Sequence, residues 1–182
     1  MKKITSLLLV LSMLLCTFVM SACGSNNSND TNNSNDTTNS NGTTNSNTAQ
    51  NKTQKEEEFY NLVDETKELL DTVADDIYSY WYDCIYKDKY LEDISYAVAC
   101  AKRDNQDNLN TIEANTTKIK SLYKEVKDGK LSAEIKAVMQ AYNDYYTLVV
   151  EVSGSFNSYS ASKETCKKEL ASALDDLSFE LD

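Results

Sequence analysis

The chain has 182 residues, with 18 Lys and Arg against 29 Asp and Glu and a formal net charge of −11. It contains no histidine, which excludes serine–histidine and cysteine–histidine catalysis and most zinc, iron and copper sites. An acidic chain also lacks the basic footprint that binding to nucleic acid requires. Composition therefore predicts neither an enzyme nor a cofactor, and no nucleic-acid partner.

The first 22 residues have the pattern of a secretory signal peptide. Lys2 and Lys3 precede an apolar run over residues 4–19 that is interrupted only by small polar side chains. This run is shorter than the roughly 20 residues of a membrane-spanning helix. It ends at Met20-Ser21-Ala22-Cys23. These four residues resemble the lipobox of bacterial lipoproteins, with Met20 where leucine is commonest.

The resemblance implies cleavage before Cys23 and transfer of a diacylglyceryl group to its thiol. Two or more acyl chains hold a protein stably on a membrane, whereas one chain holds it marginally. We therefore expect a lipid-anchored protein at the outer face of the plasma membrane, similar to the small helical lipoproteins of bacteria with a single membrane. Cys16 would be removed with the signal. The alternative is an ordinary secretory signal that is followed by a cysteine.

Cys23 and residues 24–54 form a predicted linker. Residues 24–54 contain 11 Asn, 7 Thr and 5 Ser, and no aromatic or large aliphatic side chain. Such a segment buries too little apolar surface to offset the entropy lost on ordering, so we expect disorder. A polar six-residue repeat over residues 28–45 also favours a flexible spacer.

Residues 55–182 are predicted to form one helical domain. They carry 15 Lys and Arg against 27 Asp and Glu, and they contain two glycines and no proline. Long helices are typical of a sequence with so few breakers. Apolar residues spaced by three and four predict a first helix with this buried stripe: Phe59, Val63, Thr66, Leu70, Val73, Ile77, Tyr80 and Cys84.

A second helix is predicted from Ile94 to Val126, with a polar middle that favours a kink or break near residues 103–110. A third has the stripe Ile135, Val138, Tyr142, Tyr145, Val149, Val152 and Phe156. A turn is expected at Ser153, Gly154 and the serine-rich residues 158–162, followed by a fourth helix to Leu181. Short links between helices favour an antiparallel up-down-up-down four-helix bundle, with a three-helix bundle as the alternative.

The first helix carries a dense group of aromatic residues. Tyr78, Tyr82, Tyr86 and Tyr90 recur every four residues, which predicts one row on the helix surface. Together with Trp81 they are candidates for binding a partner, because aromatic rings supply apolar contact area at little entropic cost. The alternative is that the rings cover the core at a helix junction.

Two of the three cysteines in the domain are candidates for a disulfide. The bundle would bring Cys84 of the first helix near Cys166 of the last, although three reduced buried thiols are also compatible with the pattern. The acidic pairs lie on adjacent positions of helices and so predict no paired catalytic carboxylates and no metal site.

The sequence supports two hypotheses of function. The first is a surface-anchored module that binds a protein or cell-wall partner through its aromatic residues. The second is a small-molecule-binding or sensory lipoprotein associated with a transporter, which is suggested by the polar side chains Asn105, Asn108 and Asn115 in the second stripe.

Overall fold

The computed structural model describes residues 44–181, which form an all-α protein. Five α-helices follow one another in this part of the chain, and it contains no strand. They are α1 (Thr44–Tyr86), α2 (Ile94–Asp104), α3 (Gln106–Val126), α4 (Ser132–Val150) and α5 (Phe156–Leu181), with a 3-10 turn at Tyr90–Glu92. None of these helices is both long enough and apolar enough to cross a membrane.

Helix α1 is central to the packing, since it contacts each of the other four helices. Its predicted stripe is buried from Phe59 to Ile77 and again at Cys84. Between these positions Trp81 is buried, whereas Tyr80 is only half-buried. A straight helix repeats every 3.6 residues and drifts from a strict seven-residue repeat, so the stripe continues four residues after Ile77 instead of three.

Asn105 separates α2 from α3, which confirms the predicted break near residues 103–110. This side chain is buried, and its amide donates hydrogen bonds to Asp76 Oδ2 at 2.8 Å and to the carbonyl of Ala101 at 3.1 Å. Its oxygen accepts a hydrogen bond from Asn108. The polar middle of the second stripe therefore ends one helix and ties the break to α1.

Polar side chains of α3 also form hydrogen bonds with side chains of neighbouring helices. Asn115 donates a hydrogen bond to the Thr66 hydroxyl, and the Thr116 and Tyr142 hydroxyls lie 2.5 Å apart. All four side chains are buried. Their bonds link α3 to α1 and to α4, so these polar groups act as interior contacts between helices.

The link between α4 and α5 differs from the prediction. Helix α4 ends at Val150, and α5 begins at Phe156, so residues 158–162 are helical. The Ser155 hydroxyl accepts from the Ser158 backbone N–H, and the Ser158 hydroxyl accepts from the Ser155 backbone N–H. This reciprocal pair is a helix-capping arrangement, so these serines start a helix. Gly154, with φ of +86°, makes the turn before it.

Helix α1 begins at Thr44, so it extends into the predicted linker. The predicted signal peptide, Cys23 and the first part of the linker lie outside the described residues.

Candidate interaction surface

Aromatic side chains of α1 and α5 meet near the end of α1. Tyr78, Tyr82 and Tyr86 form a continuous row, with ring centroids 6.4 Å and 4.7 Å apart. Phe156, at the start of α5, lies 5.0 Å from the Tyr78 ring and 6.1 Å from the Tyr86 ring. We call these four residues the aromatic cluster. Such separations suit favourable ring–ring contacts.

The cluster passes from core to surface along the helix. Tyr78 is half-buried, whereas Tyr82 is 39% exposed and Tyr86 is 59% exposed. Lys163 of α5 places its ammonium 4.7 Å from the centre of the Tyr78 ring and also pairs with Asp75. The inner rings therefore cover the core at a helix junction, and the outer rings are accessible.

Trp81 and Tyr90 do not lie in this row. Trp81 is 4% exposed and packs against Phe156 and Tyr159, so its ring belongs to the core beneath the cluster. Helix α1 ends at Tyr86, before the next position of the row. Tyr90 instead stacks on Tyr80 at 5.1 Å. Of the five tyrosine and tryptophan candidates, only Tyr82 and Tyr86 are exposed.

Sequence reasoning missed the aliphatic side chains that are exposed in the same stretch of the chain. Most of the large apolar side chains that are exposed in the described part of the chain lie between positions 82 and 96. We call this group the apolar end; it comprises Tyr82, Ile85, Tyr86, Leu91, Ile94 and Tyr96. Leu91 fits no helical stripe, which is the signal that could have revealed it, whereas Ile94 begins the predicted second stripe but is 42% exposed.

The turn that joins α1 to α2 is strained. Tyr90, Leu91 and Glu92 each have φ of +57°, and Asp88 has φ of +51°. This left-handed region costs a residue with a Cβ roughly 1–2 kcal/mol. Leu91 is nevertheless 88% exposed, so burial of its side chain does not offset the strain. Strain of this kind is concentrated at functional sites.

Ion pairs hold the charged side chains beside the apolar end. Asp83 binds both Lys87 and Lys89, each at 2.7 Å. These hydrogen bonds lower the pKa of the Asp83 carboxyl. The Lys87 ammonium also lies 5.5 Å from the centre of the Tyr82 ring. The charges of the two lysines are therefore paired locally, while Tyr86 and Leu91 are the most exposed apolar side chains of this group.

A second tyrosine contact fixes the side of α1 that faces α2. The Tyr80 hydroxyl donates a hydrogen bond to Asp104 Oδ2 at 2.7 Å. This bond raises the pKa of Tyr80 to about 12 and, with Arg103, lowers the pKa of Asp104. Tyr80 thus connects the end of α2 to α1, behind the apolar end.

Cys84 and Cys166 are free thiols in the structure, so the candidate disulfide is not formed. Burial raises the pKa of both thiols. The nearby charges that add to this effect are Glu92 and Asp93 for Cys84, but Glu169 and Asp144 for Cys166. The two thiols therefore lie in different surroundings, one beside the α1–α2 link and the other towards α4.

The amides that suggested a small-molecule site are bonded within the protein. Asn105 binds Asp76, Asn108 binds Asn105, and Asn115 binds Thr66. No group of three or more Cys, Asp or Glu side chains in the described residues is arranged to hold a metal ion.

Comparisons of the chain with protein-family models, with characterised proteins and with solved structures find no match.

Proposed function

We propose that the chain is a bacterial lipoprotein, anchored through Cys23 at the outer face of the plasma membrane, whose helical domain binds a partner through the apolar end. The observation that carries the proposal is the accumulation of exposed Tyr82, Tyr86 and Leu91 at a strained turn. Exposed apolar patches commonly mark interaction sites on proteins that are otherwise well packed.

A protein is the partner class that fits this surface best. A glycan ring stacks on aromatic faces and needs polar groups beside them, whereas Ile85, Leu91 and Ile94 add purely aliphatic area. Aromatic side chains surrounded by apolar contacts are typical of the energetically dominant positions in protein interfaces. Cell-wall binding is the competing outcome that the experiment below distinguishes.

We also propose how the helices of the domain are arranged. We infer an antiparallel four-helix bundle in which α2 and α3 together form one leg, since only Asn105 interrupts them. In that arrangement the chain enters at the start of α1, and the turn after Tyr86 lies at the opposite end. About 40 residues of helix, at 1.5 Å per residue, would then separate the two ends of α1 by some 60 Å.

Site-specific photo-crosslinking tests the proposal in cells that carry the full chain. A photoreactive phenylalanine analogue at position 86 is expected to yield discrete adducts with another protein. Changing Tyr82→Ser and Leu91→Ser in the same chain should reduce these adducts at least tenfold, because two apolar contacts are lost. Binding of the purified full chain to isolated cell-wall sacculi is measured in parallel.

Phe179 provides the matched control, since it is an aromatic residue with 80% exposure near the end of α5. The analogue at position 179 should give no discrete protein adduct. Equal crosslinking from positions 86 and 179, or sacculus binding without any protein adduct, would contradict the proposed protein partner.

A further inference from the structure

Glu56 of α1 is the least explained buried group in the described part of the chain. Its side chain is 6% exposed, and its Oε1 atom has no hydrogen-bond partner. Burying a carboxylate without a partner is costly, and nearly all buried polar atoms in proteins are paired. Asp71, the other buried acidic residue of α1, does accept hydrogen bonds from Tyr145 and Lys67. An unpaired oxygen at Glu56 therefore requires an explanation.

This oxygen belongs to a residue that lines a pocket. The pocket has a volume of about 460 Å³ and is formed by α1, the link between α3 and α4, and the end of α5. That volume lies within the range of small-molecule sites, roughly 300–1,000 Å³. The lining residues are Lys52, Thr53, Glu56, Lys130, Leu131, Glu180 and Leu181. Along α1 it lies about 40 Å from the apolar end, so it is a separate site.

Gly129, in the link between α3 and α4, lies close to two of the side chains that line the pocket. A Cβ at position 129 would lie 2.7 Å from Glu56 Oε1 and 2.7 Å from Lys52 Cε. Both distances are shorter than a Cβ atom tolerates, so a side chain there would displace Glu56 and Lys52. The absence of a side chain at Gly129 leaves room for the Glu56 carboxylate and the Lys52 side chain, both of which line the pocket.

The chemistry of the lining defines the ligand. Glu56 and Glu180 suit an ammonium group, while Lys52 and Lys130 suit a carboxylate. Leu131 and Leu181 add an apolar surface. A divalent metal ion fits poorly, because the two lysines would repel it and hard cations take six or more oxygen ligands. We propose that this pocket binds a small zwitterion, an amino acid or a dipeptide, with its ammonium on Glu56.

Isothermal titration of the purified full chain in detergent tests the proposal. The probes are the twenty standard amino acids and diglycine, and at least one is expected to bind saturably and to raise the melting temperature. Analogues of that ligand that lack only the carboxylate or only the ammonium should bind at least tenfold more weakly. Saturable binding by none of the probes, or equal binding by the ammonium-only analogue, would overturn the proposal.

Two substitutions of neighbouring glutamates give the matched comparison. Glu56→Gln removes the charge and should weaken binding at least tenfold, while the domain stays folded because Oε1 has no hydrogen bond within the protein to lose. Glu57→Gln changes the exposed neighbour and should leave binding within twofold. Gly129→Ala should also weaken binding by displacing Glu56. Unchanged binding by Glu56→Gln would exclude the proposed site.

Discussion

Replacing Asp71 with alanine is expected to lower the free energy of unfolding by about 3 kcal/mol. Asp71 is buried on α1, where its Oδ1 accepts a hydrogen bond from the buried Tyr145 hydroxyl at 2.7 Å. Its Oδ2 lies 3.3 Å from Lys67 Nζ and 3.2 Å from Lys167 Nζ. The substitution would leave the tyrosine hydroxyl without an acceptor and Lys67 with Glu68 as its remaining ion-pair partner. Urea unfolding followed by circular dichroism measures the effect.

Tyr145→Phe is the control for this prediction. It removes one hydrogen bond but leaves Asp71 with both lysines, so it should cost only about 1 kcal/mol. The free energy of unfolding lost in the double variant should be smaller than the sum of the losses in the two single variants, because both substitutions remove the same Tyr145–Asp71 hydrogen bond. An Asp71→Ala protein as stable as the unmodified chain would show that α1, α4 and α5 are not joined through this carboxylate.

Alkaline pH is expected to destabilise the domain strongly. Burial raises the pKa of Tyr142 to about 12, and burial also raises the pKa of Tyr145 and Tyr159. These hydroxyls stay protonated in the folded chain, whereas in the unfolded chain they lose their protons near pH 10. Their contribution to stability is therefore complete below pH 10 and is lost as the pH rises. Together they should lower the free energy of unfolding by about 3 kcal/mol between pH 10 and pH 11.

Urea unfolding at pH 8, 9, 10, 10.5 and 11 measures this dependence. The free energy of unfolding should change little up to pH 9 and then fall with increasing slope. Tyr142→Phe should reduce the part of the loss above pH 10 that the three buried hydroxyls cause by about a third, because one of them is removed. A free energy that stays constant to pH 11 would contradict the burial of these rings.

The helices could be predicted from the sequence where apolar spacing is regular. The stripe from Ile135 to Val149 is buried in α4 as expected, and the polar stretch near Asn105 does interrupt the second helix. Because serine is common in turns, the composition predicts a turn at Ser158, but its hydrogen bonds with Ser155 start α5. Local capping bonds of this kind have no apolar period, so spacing alone does not reveal them.

The candidate surface was predicted only in part, for a related reason. The four-residue spacing predicts Tyr82 and Tyr86 on one row, as the structure has them, but it also predicts Tyr90 there. The aromatic composition of this stretch makes Trp81 a candidate for binding, although its ring is buried. Burial of Trp81 depends on Phe156 and Tyr159, which are contributed by a helix 75 residues further along the chain. The departure of Tyr90 depends on where α1 ends. The burial of Trp81 and the position of Tyr90 both depend on the tertiary structure. The burial of the unpaired Glu56 oxygen depends on it too.

Lipid attachment of the chain through Cys23 is the central claim of the proposed function. Cell fractionation of a bacterial host that expresses the full chain, with mass analysis of the first mature peptide, tests this attachment. We predict that the unmodified chain stays with the membrane and carries acyl groups on Cys23, and that Cys23→Ala releases folded protein to the medium. Cys16→Ala should leave retention unchanged, because Cys16 lies within the predicted signal. Membrane retention of the Cys23→Ala protein, or a mature peptide without acyl groups, would contradict the account.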